Sequence, residues 1–153
     1  MTILKVNKLS KVYGDKQKYQ ALKDISFSVE KGEFVAIMGP SGSGKTTLLN
    51  VLSSIDTISG GSVEVDGNEI NKLSNKKLAN FRKKQLGFIF QDYSVLPTLT
   101  VKENIMLPLS VQKIQKYEME QNYKELPEAL AINDLWNKKT NEISTGHKQL
   151  TAE

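Results

Sequence analysis

The sequence predicts an α/β fold. An antiparallel β piece from about Met1 to Glu30 leads into a core of buried strands, and a helical segment follows from about Val101 to Leu135. Three observations carry this reading. Ile25-Ser26-Phe27-Ser28-Val29-Glu30 alternates apolar and polar residues, the pattern of a strand with one buried face. Phe34-Val35-Ala36-Ile37-Met38 is a continuous apolar run, as expected of a strand buried on both faces. A glycine-rich loop follows that run at once, and Lys45 to Leu52 then has helical composition.

The remaining elements follow in chain order. Leu4, Val6 and Leu9 begin a loosely alternating strand that runs to Tyr13, and the polar stretch Gly14 to Gln20 reads as a turn. Lys31-Gly32 is a second turn signal, Thr57 to Gly61 is a loop, and Ser62 to Val65 is a strand closing on the turn Asp66-Gly67. Ser74 can cap a helix over about 76–84. Leu86-Gly87-Phe88-Ile89-Phe90 is another buried-type strand. Thr100 and Glu103 are spaced as a capping box for a helix from Val101. Residues 115–135 read as largely helical, with Pro127 interrupting the interior. Asn137 to Ser144 is a polar connection, and Gly146 to Glu153 reads as the first turns of another helix.

Composition narrows the function classes. The chain has 153 residues, of which 39% are hydrophobic and 25% charged, the balance of a soluble globular domain. With no cysteine and one histidine, His147, disulfide scaffolds, thiol nucleophiles and multi-histidine metal sites are excluded. The charge is +4, from 21 basic and 17 acidic residues, but the lysines are scattered and Arg82 is the one arginine. That pattern argues for a solvated surface and against nucleic acid as a partner. No apolar stretch approaches the roughly 18 to 20 residues of a membrane span, and the first residues lack a secretory signal's apolar region. The expectation is a cytoplasmic chain unless a partner tethers it.

Gly39-Pro40-Ser41-Gly42-Ser43-Gly44-Lys45-Thr46 fits the phosphate-loop pattern G-x-x-x-x-G-K-[ST] in full. Glycines let the main chain wrap a phosphate without Cβ clashes, so that N–H groups converge on the anion. The helix that starts beside Gly44 adds the positive end of its dipole. Lys45 is expected to neutralise the terminal phosphates, Thr46 to bind Mg²⁺ through its hydroxyl, and Thr47 to complete the ATP-binding set. By composition alone, the four fixed positions coincide in roughly one chain in two hundred of this length. The preceding apolar run and following helix reduce that further.

With this loop in place, three further segments carry a resemblance to the ATP-binding subunits of ABC transporters. Lys11-Val12-Tyr13-Gly14 resembles the family's A-loop, which implies that Tyr13 stacks on adenine. Gly87-Phe88-Ile89-Phe90-Gln91 resembles the strand and glutamine of the Q-loop, which implies that Gln91 reaches Mg²⁺ and the attacking water. A competing reading of that strand as Walker B, with Asp92 on the metal, is weaker because Gln91 separates the apolar run from the carboxylate. Ile143-Ser144-Thr145-Gly146-His147-Lys148-Gln149 resembles the signature segment, although Thr145 replaces a glycine and His147 the common glutamine. The resemblance implies that Ser144, Thr145, Gly146 and His147 act on the γ-phosphate of ATP held by a second subunit. Thr57 to Val63 and Leu96 to Ile105 are similar to the exporter branch that serves macrolides, lipoproteins and antimicrobial peptides, bacitracin included.

The resemblance covers essentially all of the chain and implies an ATP-driven motor. Two ATP-binding subunits would clasp ATP and Mg²⁺ and drive a membrane permease from the inner face of the cell membrane. It also sets one incomplete domain over 1–153, divided as 1–100, 101–146 and 147–153. The family's Asp-Glu strand and switch histidine would follow the signature, and His147 lies inside the signature instead. Without the general base, efficient hydrolysis is not expected, so enzyme activity stays open; poor folding is expected too, because the Phe34–Met38 strand would keep an unpaired edge. Other readings remain: a nucleotide-binding remnant without activity, or a different phosphate-loop NTPase or kinase. A small GTPase is disfavoured because Asn71-Lys72-Leu73-Ser74 and Asn137-Lys138-Lys139-Thr140 both lack the aspartate of a guanine-reading motif.

Overall fold

The computed structural model describes residues 1–112, 114, 115, 117, 118, 121 and 123–152. The chain forms two compact units, Met1–Leu86 and Gly87–Glu153. The first contains β1 (Thr2–Tyr13), β2 (Tyr19–Glu30), α1 (Lys45–Leu52), β3 (Gly60–Val65), β4 (Asn68–Glu69) and α2 (Asn75–Gln85). Its four strands make one antiparallel sheet in the order β2-β1-β3-β4.

The loose alternation of β1 has a local cause. Val6 and Leu9 are both buried although an odd number of positions separates them. Lys8, between them, takes φ 45°, and the pairing with β2 shifts register there. A bulge of this kind returns the next apolar side chain to the core face. Gly61 on β3 lies against it at φ 84°, where a Cβ would meet the Lys8 carbonyl oxygen at 2.3 Å. The displaced polar groups keep partners: Lys8 N–H donates to Ser26 Oγ at 2.8 Å and Asp24 N–H to Ser10 Oγ at 3.0 Å.

One face of the sheet supplies Val6, Leu9, Leu22 and Val63 to the core, closed by Leu48 and Val51 of α1, by Ile70 and by Phe81 of α2. Arg82 of α2 donates to the Ser54 carbonyl at 3.0 Å, which fixes α2 to the chain just after α1.

Two expected strands do not form. Phe34–Met38 has no strand geometry, and Phe34 is 96% and Met38 89% exposed. Leu86–Phe90 is likewise irregular, with Ile89 59% exposed. The reason is the same for both. A buried parallel strand exists only through hydrogen bonds to neighbours, and among the described residues neither run has a paired neighbour. Apolar composition supplies the tendency but not the ladder.

The second unit holds α3 (Val101–Val111), α4 (Leu126–Ala129) and α5 (Thr145–Ala152), with 3-10 turns at Asn133–Leu135 and Thr140–Glu142. The Thr100 capping box forms as expected: Glu103 N–H donates to Thr100 Oγ1 at 3.2 Å, and Thr100 N–H to Glu103 Oε2 at 2.8 Å. Asn104 ties down the preceding loop, accepting from Leu96 N–H at 2.7 Å and donating to the Leu96 and Thr100 carbonyls at 3.1 and 2.9 Å. Val101, Ile132 and Ile143 form the small core, with Ile105, Trp136 and Leu150 against it.

The helical expectation for 115–135 needs correction. Pro127 lies in the first turn of the short α4, where its missing N–H costs little, and not in a helix interior. Lys113, Lys116, Met119, Glu120, Asn122 and Glu153 lie outside the described residues.

Candidate functional site

The glycine-rich loop turns directly into α1. Gly44 is the residue before the helix and takes φ 90°, a left-handed angle. A Cβ there would lie 2.7 Å from the Ala21 carbonyl oxygen and 3.0 Å from Leu22 Cδ2, so conformation and space both require glycine. Gly42 is also left-handed, at φ 79°. Ser43 N–H donates to the Pro40 carbonyl at 3.3 Å, closing the turn, and Leu48 N–H donates to the Gly44 carbonyl at 2.8 Å within the first turn of α1.

Lys45 folds back over this turn. Its ammonium donates to the carbonyls of Gly39 at 2.9 Å and Pro40 at 2.7 Å, and lies 3.4 Å from Ser43 Oγ. The cation is therefore held within the loop, at the end of α1 where the helix dipole is positive. Ser41 and Thr46 are exposed there, while Thr47 is half-buried.

Tyr13, at the end of β1, belongs to the same unit. Its hydroxyl donates to Asp56 Oδ2 at 2.6 Å, and Lys11 Nζ lies 4.7 Å from its ring centroid. The hydrogen bond to the Asp56 carboxylate and burial raise the phenol above its ordinary value, against a smaller opposing influence of Thr47, the third residue of α1. Burial resists ionisation of Asp56, but hydrogen bonds from Lys11, Tyr13 and the Thr57 N–H outweigh it and hold the carboxyl below its ordinary range.

The other expected residues lie in the second unit. Gln91 is exposed at a turn in which Tyr93 N–H donates to the Phe90 carbonyl at 3.0 Å. Ser144 precedes α5 and caps it: its Oγ accepts from His147 N–H at 3.3 Å and lies 2.8 Å from His147 Nδ1. Thr145 and Gly146 are exposed in the first turn of α5. A cavity of about 640 Å³ in this unit is lined by residues such as Phe88, Phe90, Leu107, Leu130 and Leu150. None of its lining residues is charged, so it offers no counter-charge to a polyphosphate.

Residues 22–152 match the ABC transporter family. The chain belongs to that family.

Among its ABC relatives is the bacitracin export ATP-binding protein BceA of Halalkalibacterium halodurans, 55% identical over 97% of this chain and 59% of the relative. The macrolide export ATP-binding/permease protein MacB of Aggregatibacter actinomycetemcomitans is 41% identical over 97% of this chain and 23% of the relative. The dimeric ATP-binding cassette MJ0796, solved in a post-hydrolysis state with ADP and Pi, superposes with a TM-score of 0.89 at 33% identity. That match covers 98% of this chain and 67% of the solved one. The chain thus spans about 59% of the length of BceA. Among the described residues no helix is long and apolar enough to cross a membrane.

The residues present fit a nucleoside triphosphate with Mg²⁺. The left-handed glycines and α1 dipole suit the phosphates, Lys45 supplies the counter-charge, and Thr46 offers an exposed oxygen of the hard type that Mg²⁺ prefers. Among the described residues no three His, Asp or Glu side chains are grouped so as to hold a metal ion.

The sequence reading missed Asp56. Lys11 and Tyr13 are two apart on a strand and so share a face, a signal legible in advance. Asp56 is more than forty residues further on and reaches Tyr13 only because the chain returns after α1.

Proposed function

We propose that this chain supplies the ATP-binding part of the motor subunit of an ABC exporter for an antimicrobial peptide, macrolide or lipoprotein. ATP with Mg²⁺ binds at Tyr13, Gly39–Thr47 and, for the metal and water, Gln91. Ser144, Thr145, Gly146 and His147 face the nucleotide of a second subunit, and a permease anchors the pair at the inner face of the membrane. The domain reading of 1–100, 101–146 and 147–153 belongs to the same proposal. The chain spans about 59% of the length of BceA, so turnover and transport by the whole protein belong to the same proposal.

The observation that carries the reading is the Lys45 ammonium drawn into a left-handed glycine turn at the start of α1. The similarity to exporter ATP-binding proteins supports the transport role, and the dimeric cassette MJ0796 supports the pairing. Calorimetric titration with Mg-ATP tests the first step. Lys45→Ala should weaken ATP binding by about tenfold or more, the usual effect of losing a hydrogen bond to a charged group. Equal affinity in the variant and the parent would refute the assignment. GTP in place of ATP discriminates this reading from a guanine-specific one.

A further inference from the structure

The reading above gives Tyr13 a base to stack on but does not say what aims the ring. We propose that Lys11 and Asp56 form a clamp that sets the orientation of Tyr13 toward the nucleotide base, which makes this ion pair a positioning element of the site. The proposal rests on the ATP-binding reading and adds two residues to it.

Lys11 is 6% exposed, an unusual place for a lysine. Its ammonium donates there to Asp56 Oδ1 at 2.6 Å and to the Thr57 carbonyl at 2.6 Å. Burying this lysine costs solvation that a carboxylate still 29% exposed only partly offsets, so its use is better sought in the geometry it enforces. The geometry enforced here is that of Tyr13. Asp56 divides its two oxygens, Oδ1 to Lys11 and Oδ2 to the Tyr13 hydroxyl. The same ammonium that holds the carboxylate also lies 4.7 Å from the Tyr13 ring centroid, within cation–π range. The ring is thus fixed at its polar tip and against one face, and Asp56, whose own N–H donates to the Asn50 carbonyl at 3.0 Å, references it to α1.

Much of the ring stays open: Tyr13 is 38% exposed. An aromatic side chain pinned at tip and face, partly open, beside a helix that begins at a phosphate loop, is a preorganised stacking platform. In this arrangement Lys11 lies over the Tyr13 ring and Asp56 holds its hydroxyl, whereas Lys45 is held by Gly39, Pro40 and Ser43, so the pair should affect recognition of the base alone.

That separation supplies the test. The full chain is titrated with Mg-ATP and with inorganic tripolyphosphate, which carries the same phosphate chemistry without a base. The parent should bind ATP about tenfold more tightly than tripolyphosphate, a typical effect of one base–aromatic stack. Asp56→Asn keeps the shape but removes the charge that holds Lys11. It should erase most of the ATP preference while leaving tripolyphosphate affinity unchanged. Should Asp56→Asn fail to fold by circular dichroism, Tyr13→Phe is read instead: it keeps the ring, loses only the tip anchor, and should reduce the preference several-fold. A merely structural pair would weaken both ligands together or neither. An unchanged ATP-to-tripolyphosphate ratio in the folded variant therefore overturns the clamp. If the parent binds tripolyphosphate and ATP equally, base stacking and the clamp both fall while the phosphate loop stands. If it binds neither, the ATP-binding reading itself is wrong.

Discussion

β1 and the segment Phe34–Met38 lie in the same unit, and their fates are opposite. β1 carries three lysines, a serine and an asparagine among its 12 residues, yet it has a strand on either side and buries Val6, Leu9 and Lys11. Phe34–Met38 is apolar throughout, yet its end residues are almost fully exposed. The difference is not hydrophobicity but partners. β1 has β2 on one side and β3 on the other to take its backbone hydrogen bonds. Phe34–Met38 has no ladder among the described residues, and a backbone without protein partners must keep its water. Burial follows pairing first and side-chain character second.

The comparison can be broken by substitution. The largest effect should come from Leu9→Ala, which empties a fully buried position between the sheet and α1. It should cost about 2–5 kcal/mol in urea unfolding. A loss below about 1 kcal/mol would show that β1 is less firmly packed than its burial implies.

A smaller effect tests the polar end of β1. The Asp56 carboxyl lies below its ordinary value of 3.8 when folded. Folding therefore favours its ionised form: the stabilisation is fully present above that value and disappears as pH falls through the lower folded one. Unfolding curves for the parent and Asp56→Asn should differ most at neutral pH and converge below about pH 4. A gap that persists undiminished at acid pH would mean that the charge on Asp56 contributes nothing.

The smallest effect on stability should come from the exposed run. Phe34→Ser should change unfolding free energy by no more than about 0.5 kcal/mol, as usual for an exposed site. The same substitution should reduce self-association in light scattering, because an open apolar run invites contact between copies. A loss of several kcal/mol would place Phe34 in a core that the described structure does not show.

Legibility in the sequence followed the range of the interactions. The Thr100–Glu103 capping box, the Asp66-Gly67 turn and the opening of α1 after Gly44 depend on residues within a few positions of one another, and the structure has each of them. The β1 bulge at Lys8 was visible only as imperfect alternation, because its partner Gly61 is distant in sequence. At the candidate site the phosphate loop announces itself through fixed spacing, and Tyr13 through its place before that loop. Asp56 carried no signal, because nothing local marks an acid in the loop after α1 that will meet a lysine and a tyrosine of β1.

The sequence by itself determined the glycine turn that opens α1, the start of α3 and the family, since each is encoded in short spacings of specific residue types. Tertiary structure alone decided which apolar runs became strands and which charged groups came to surround Tyr13. A strand needs a neighbour's hydrogen bonds and a buried lysine needs its counter-ion, and both come from parts of the chain that only folding brings near.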